Sequence, residues 1–296
     1  MRNVMNPSKT LAVVVLAVTL GACASGASDG SSALTTEATA FAAEPLLERA
    51  DTALDEGLME VAMGHYQVVL RHQPDNARAR LGMAEINLAA GDLPAARAGF
   101  DAQTTHPELG PRAHQGMGLA YLKAGRPDKA RAPLEAAVLA DSFLWRAWNG
   151  LATVHDRDEN WAEAHRCYEA ALAAAPPGAA GIIHNNLGFS LILQGRHDEA
   201  TAHLMEAARR DRTQTLPRTN LRLALAWQGR YDEAVAGARP AERATVLNNV
   251  GYVALLRGDL DDAEALLSRA IDGSASHFDP AWHNLAHLKA VRGDKI

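Results

Sequence analysis

Residues 184–200 read HNNLGFSLILQGRHDEA, and residues 248–263 read NNVGYVALLRGDLDDA, with the glycines, the alanine and the acidic pair in register. In each phrase an apolar run closes on a polar turn with a glycine, and acidic residues open the segment that follows. That order predicts two helices joined by a short turn. A motif that performs chemistry normally occurs once, whereas a phrase that recurs at fixed spacing marks a structural module. Alanine and leucine dominate and β-branched runs are scarce after residue 20, which also points to helix.

The fullest copy of the phrase is WNGLATVHDRDENWAEAHRCYEAALAAAP at 148–176. Trp148, Leu151, Ala152 and His155 stand in its first half, and Ala164, Tyr168 and Pro176 in its second. The order resembles the tetratricopeptide repeat, a helix–turn–helix unit with a period of about 34 residues. Ala152 stands where that signature has glycine, and His155 where it has tyrosine. The same frame recovers repeats at 43–76, 77–110, 111–144, 145–178 and 181–214, then from about 215 and about 244. DPAWHNLAHLKAVRG then reads as a single capping helix. The expected fold is all-α: a solenoid of about seven tetratricopeptide hairpins over 43–296, closed by that C-terminal helix.

Steric reasons account for the recurring places. A small residue at the eighth place of helix A and at the twentieth, in helix B, lets the two helices approach. The large residue four places later fills the space between repeats. Glycine at the fifteenth place supports the turn. The acidic pairs Asp198-Glu199, Asp232-Glu233 and Asp261-Asp262 complement the positive end of helix B. The sixth repeat departs from this: Arg222 holds its eighth place, and repeats six and seven begin only about 29 residues apart. Helix B is therefore expected to be cut short near Gly237–Pro240, either as a tolerated irregularity or as a bend shaped for binding.

The N-terminal segment reads differently. Arg2 and Lys9 flank the start of the apolar run Leu11–Leu20, too short to span a bilayer, which needs about 20 residues. Leu20-Gly21-Ala22-Cys23 then resembles the lipobox of bacterial lipoproteins. The resemblance implies a signal peptide at 1–22 and lipidation of Cys23; an ordinary secretory signal with a chance cysteine is the alternative. Ala24 follows where aspartate would favour inner-membrane retention, so the outer membrane, facing the periplasm, is the expected destination. Residues 23–42 are rich in Ser, Ala, Gly and Thr and read as a flexible tether. Its reach is about 25 Å r.m.s. and under about 70 Å extended. Cys167, the other cysteine, is read as a small buried apolar residue.

The remaining composition narrows the chemistry. A formal net charge of −6 argues against a general nucleic-acid binder. Twelve histidines invite a metal or acid–base reading. His197 and His203 are neighbours and His283 and His287 are four apart, but Asn284 stands where an HExxH motif needs glutamate. GxSxG, P-loop and Rossmann fingerprints are lacking. Packing or solvated histidines are the expectation, with no metal, cofactor, small-molecule substrate or catalytic role. Arg209, Arg210, Arg212, Arg218 and Arg222 form the densest basic patch, read as a solvated face, with a site for an acidic partner as the alternative.

The tetratricopeptide resemblance implies a concave face lined by the second, fifth, ninth, twelfth and thirteenth places of helix A. In this chain those places include Arg112, Gln115 and Thr153. The candidate peptide-binding set is Asn149, Asn185, Phe189, Ile192, Asn248, Tyr252 and Leu255. Asn186, Asn220, Asn249 and Asn284 form a further ladder at the sixth place. Asparagine offers a donor and an acceptor to an extended peptide, but it is also ordinary repeat consensus there. With the lipobox and tether, the run NNLGFSLILQGRHDEA, NLRLALAWQGRYDEA and LNNVGYVALLRGDLDDAEALLSRAI resembles the TadD lipoproteins of the tight-adherence (Flp) pilus. That resemblance implies a lipid-anchored scaffold supporting assembly of the pilus secretin, with the secretin or another pilus component as partner. The alternative is an adaptor that brings a periplasmic protease or peptidoglycan hydrolase to its substrates.

Overall fold

The computed structural model describes residues 41–210, 215–274 and 278–293. The expected signal peptide, Cys23 and nearly all of the expected tether lie outside the described residues. What is described is helical, with no strand. Helices pair in chain order: α1 (Glu44–Asp55) with α2 (Met59–His72), α3 (Ala77–Ala90) with α4 (Leu93–Asp101), and α5 (Gly110–Lys123) with α6 (Pro127–Ala140). The series continues with α7 (Trp145–Arg157) and α8 (Trp161–Ala174), α9 (Ala180–Leu193) and α10 (His197–Arg210), α11 (Leu216–Trp227) and α12 (Tyr231–Val235). Then come α13 (Arg243–Arg257), α14 (Leu260–Asp272) and the closing α15 (Asp279–Arg292). Each helix packs on its hairpin partner and on the next hairpin in sequence, so every contact surface is local.

The eighth place behaves as its chemistry requires. A Cβ at Gly188 would lie 2.5 Å from Leu204 Cγ, and one at Gly118 would lie 2.4 Å from Leu134 Cγ. Both leucines are fully buried, each contributing about 1.5–3 kcal/mol of burial. In the first two repeats the large residue is aromatic and meets a second glycine in the following repeat. The Tyr66 ring sits where a Cβ on Gly82 would be, and the Phe100 ring where a Cβ on Gly116 would be. The turn glycines adopt left-handed backbone, as at Gly195 (φ 74°). In the fourth repeat that place is held by Glu159, which takes φ 56° without being glycine.

The sixth repeat is truncated as its spacing predicts. α12 has five residues, and a 3₁₀ turn at Pro240–Glu242 leads into α13. Its twenty-fourth place, Ala238, lies beyond the end of α12, so no large side chain projects from helix B toward the eighth place. Arg222 occupies that room: its Nη2 reaches Glu242 Oε1 at 3.3 Å, with side chains 12% and 20% exposed. The arginine and the shortened helix are thus one feature.

Candidate functional site

The helix-A faces of the second to fifth repeats, with the α1–α2 turn, enclose a concavity of about 760 Å³. Leu54, Met59, Leu88, Leu119 and Ile182 give it apolar surface, and Asp55, Glu85, Arg112, Lys123 and Arg146 give it charge. Much of that charge is spent internally. Glu85 is 7% exposed and takes Arg146 Nη1 at 3.2 Å, as a buried carboxylate must have a partner. Lys123 Nζ donates to the Leu88 and Ala89 carbonyls at 2.8 and 3.2 Å, capping the C-terminal end of α3. Gln115 Oε1 accepts from the Ala147 backbone at 3.1 Å.

Several lining groups keep capacity for a ligand, among them the exposed Asp55 carboxylate, which makes no hydrogen bond or ion pair among the described residues. The exposed Arg112 guanidinium makes no hydrogen bond or ion pair among the described residues. Asn149 accepts from Asn186 at 3.2 Å through its oxygen, and its amide nitrogen has no partner among the described residues. One cation, one carboxylate, one amide and an apolar bed suit an extended peptide better than a small polar molecule.

The seven candidate residues divide by helical place. Asn149 lines the concavity. Phe189 and Tyr252, at the ninth place, are 42% and 39% exposed, in the register of Leu119. Ile192 and Leu255, at the twelfth place, belong to the apolar cores, 9% and 6% exposed, as does Leu88, which at the same place of the second repeat also lines the concavity. Asn185 and Asn248 are buried and bonded to other asparagines. Asn220 donates to Asn185 at 3.0 Å, and Asn185 to Asn186 at 3.2 Å. Asn284 donates to Asn248 at 2.9 Å. The asparagine ladder therefore ties consecutive A helices together. Glu85, Leu88, Leu119, Lys123 and Arg146 line the concavity without having been singled out; the ninth, twelfth, thirteenth and second places of their repeats would have found them.

Other polar groups are structural. Tyr168 donates to Asp156 at 2.7 Å and Ser190 donates to its other oxygen at 2.6 Å. Burial pushes the Asp156 carboxyl up, and these two hydrogen bonds pull it back. Cys167 is buried, which pushes its thiol up to about 11. His184 and His203 approach Nδ1 to Nδ1 at 3.0 Å with stacked rings. His197 stacks on Trp227, and His283 Nδ1 lies 2.8 Å from the Asp279 carbonyl. Among the described residues no group of three or more His, Cys, Asp or Glu could hold a metal ion. No described helix is long and apolar enough to cross a membrane. Arg209 and Arg210 of the basic patch both bond Glu206.

Comparison with known proteins agrees with the hairpin frame. One tetratricopeptide-repeat profile matches residues 53–106, and a second matches 116–164, 151–215 and 223–278. No curated protein sequence matches the chain. Among solved structures, IFIT1, as a monomeric mutant with m7Gppp-AAAA, has a TM-score of 0.60 at 14% identity, covering 85% of this chain and 64% of its own. Cut9 from the APC/C hetero-tetramer Cut9-Hcn1 has a TM-score of 0.57 at 15% identity over 83% of this chain. This chain spans about half (49%) of that one. TTC0263, a thermophilic tetratricopeptide protein of Thermus thermophilus, has a TM-score of 0.50 at 17% identity, covering 65% of this chain and 98% of its own. At these identities the likeness is one of fold.

Proposed function

The chain belongs to the tetratricopeptide-repeat family, and from that premise we propose that it is a lipid-anchored, non-catalytic scaffold whose concave face holds an extended peptide segment of a protein partner. Tetratricopeptide folds are protein-interaction scaffolds. The observation that carries the reading is the concavity in which Arg112 and Asn149 keep unspent hydrogen-bonding groups above an apolar bed. Acyl chains on Cys23 hold the solenoid at the periplasmic face of the outer membrane, the tether of 23–42 sets its reach, and 43–296 does the binding. The partner is a segment of a tight-adherence pilus secretin subunit, or of another component of that assembly. The lipobox, the Ser/Ala-rich tether and the resemblance to the TadD lipoproteins support this.

The test is the heat-resistant secretin multimer in membranes of a strain lacking the gene, complemented with wild type, Cys23→Ala or Arg112→Glu. The multimer should be lost in that strain and restored by wild type but by neither variant. An undisturbed multimer in the deletion strain contradicts the secretin role and favours the adaptor of a periplasmic protease or peptidoglycan hydrolase.

A further inference from the structure

A second cavity, of about 250 Å³, opens between α11 and α13 where the sixth helix B stops. Leu223, Val246 and Val250 give it apolar walls, and the hydroxyls of Thr219 and Thr245 and the carboxamide of Asn249 stand around it. Val246 and Val250 are buried, whereas Thr245 is exposed and Thr219 and Asn249 are half-buried, so the polar groups form the rim. Arg222 and Glu242 also line it, but they pair with each other. Glu242 is also held by the exposed Arg239 at 2.7 Å, so each lining charge already has a partner.

Asn249 stands at a broken rung of the asparagine ladder. Asn186, Asn220 and Asn284 each donate to an asparagine on the preceding helix A, at 3.2, 3.0 and 2.9 Å. The corresponding place on α11 holds Thr219, whose hydroxyl donates at 3.2 Å to the Thr215 carbonyl of its own helix. Asn249 lines the cavity; its oxygen accepts from Asn248 at 3.2 Å, while its amide nitrogen has no hydrogen-bond partner among the described residues.

We propose that this cavity is an anchor pocket for one uncharged apolar or aromatic side chain of an extended peptide, with Asn249 donating to that peptide's backbone. The inference rests on the groove reading above and adds a specificity element to it. Pockets that enclose a whole small ligand run to about 300–1,000 Å³, so this smaller space suits a single side chain. A charged side chain would enter with no unpaired counter-charge to meet it, which is costly. Thr219 and Leu223 hold the fifth and ninth places of α11, as Gln115 and Leu119 do on α5 in the larger concavity. A peptide following the inner helix faces therefore passes over this pocket.

The experiment uses the full chain carrying Cys23→Ala, with N-acetyl-leucinamide, N-acetyl-phenylalaninamide and N-acetyl-glutamate amide as probes followed by amide NMR shifts. The first two should give saturable shifts at Thr219, Thr245 and Asn249, and the glutamate probe none. Thr219→Trp should fill the pocket and abolish the shifts, and Asn249→Leu should weaken binding about tenfold. Thr245→Trp, at an exposed position, closes the same mouth should Thr219→Trp fail to fold. Shifts that survive both filled variants, or that all three probes produce alike, overturn the proposal. A peptide selected from a random display library separates the two readings. Binding lost with Arg112→Glu but untouched by the filled variants sinks the pocket and leaves the groove. Capture of the amino-acid amides with no library peptide bound sinks the groove and leaves the pocket.

Discussion

Asn220 donates to the side-chain oxygen of Asn185 across 3.0 Å, joining α11 to α9 at a point where both residues are 8% exposed. Truncating Asn185 leaves a buried amide without its acceptor, which costs about 1–3 kcal/mol. Asn185→Ala should therefore lower the urea midpoint by a corresponding amount. The double variant with Asn220→Ala should cost less than the two single losses added. Strict additivity in that cycle would show that the bond carries no coupling.

How much of this was legible follows the physics of each place. The small residues at Gly118 and Gly188 are readable because backbone approach forbids a side chain, whatever the partner. The shortened sixth helix B is readable because an arginine cannot share its place with a leucine from below. Lining residues are harder to read, because a position on helix A faces the groove or the next hairpin within a rotation of about 100° per residue. Ile192 and Leu255 are buried in the cores, while Phe189 and Tyr252 are partly open to solvent. The bonding between asparagines is invisible in sequence, since the same amide can serve a peptide or a neighbouring helix.

Glu159 occupies a left-handed turn that glycine holds in neighbouring repeats, at φ 56°. A side chain there costs about 1–2 kcal/mol, partly offset by the greater unfolded-state freedom of glycine. Glu159→Gly should raise stability by about 0.5–1 kcal/mol, read as a higher Tm. A lower Tm would mean that the Glu159 side chain stabilises the turn.

Gly116 faces the Phe100 ring, with a Cβ position 2.3 Å from it. Gly116→Ala should destabilise by about 1–3 kcal/mol through overpacking. Adding Phe100→Leu should recover part of the loss, since the leucine at this place in the third repeat leaves its counterpart, Gly150, a contact of 3.3 Å. Equal losses with and without the second change would show that the ring is not the obstacle.

Burial holds His184 and His203 below the ordinary histidine value, with repulsion from His203 adding to it for the first and from His165 for the second. His155 and His197 are held down by burial as well. Glu206 and Arg210 face His184 with opposing effects, and Glu199 faces His203 and raises it. A histidine with a depressed folded value is protonated first in the unfolded chain. Stability should therefore fall as pH drops below about 6.5 and level off below the folded values. Asp156 is raised, so its contribution runs the other way, at lower pH. Urea midpoints at pH about 7.5 and about 5.5, on either side of the ordinary histidine value, check this, and His184→Gln should flatten the difference. A midpoint that rises on acidification contradicts the assignment.

Engagement of the secretin by the inner face of the A helices is tested most directly by crosslinking in cells that assemble the pilus. Benzoylphenylalanine is placed at 112, in the concavity, or at 139, where Leu139 is 89% exposed outside it. Irradiation should join the secretin subunit to the chain from 112 and not from 139. Joining from 139 alone, or from neither while the multimer still forms, would contradict the proposed engagement.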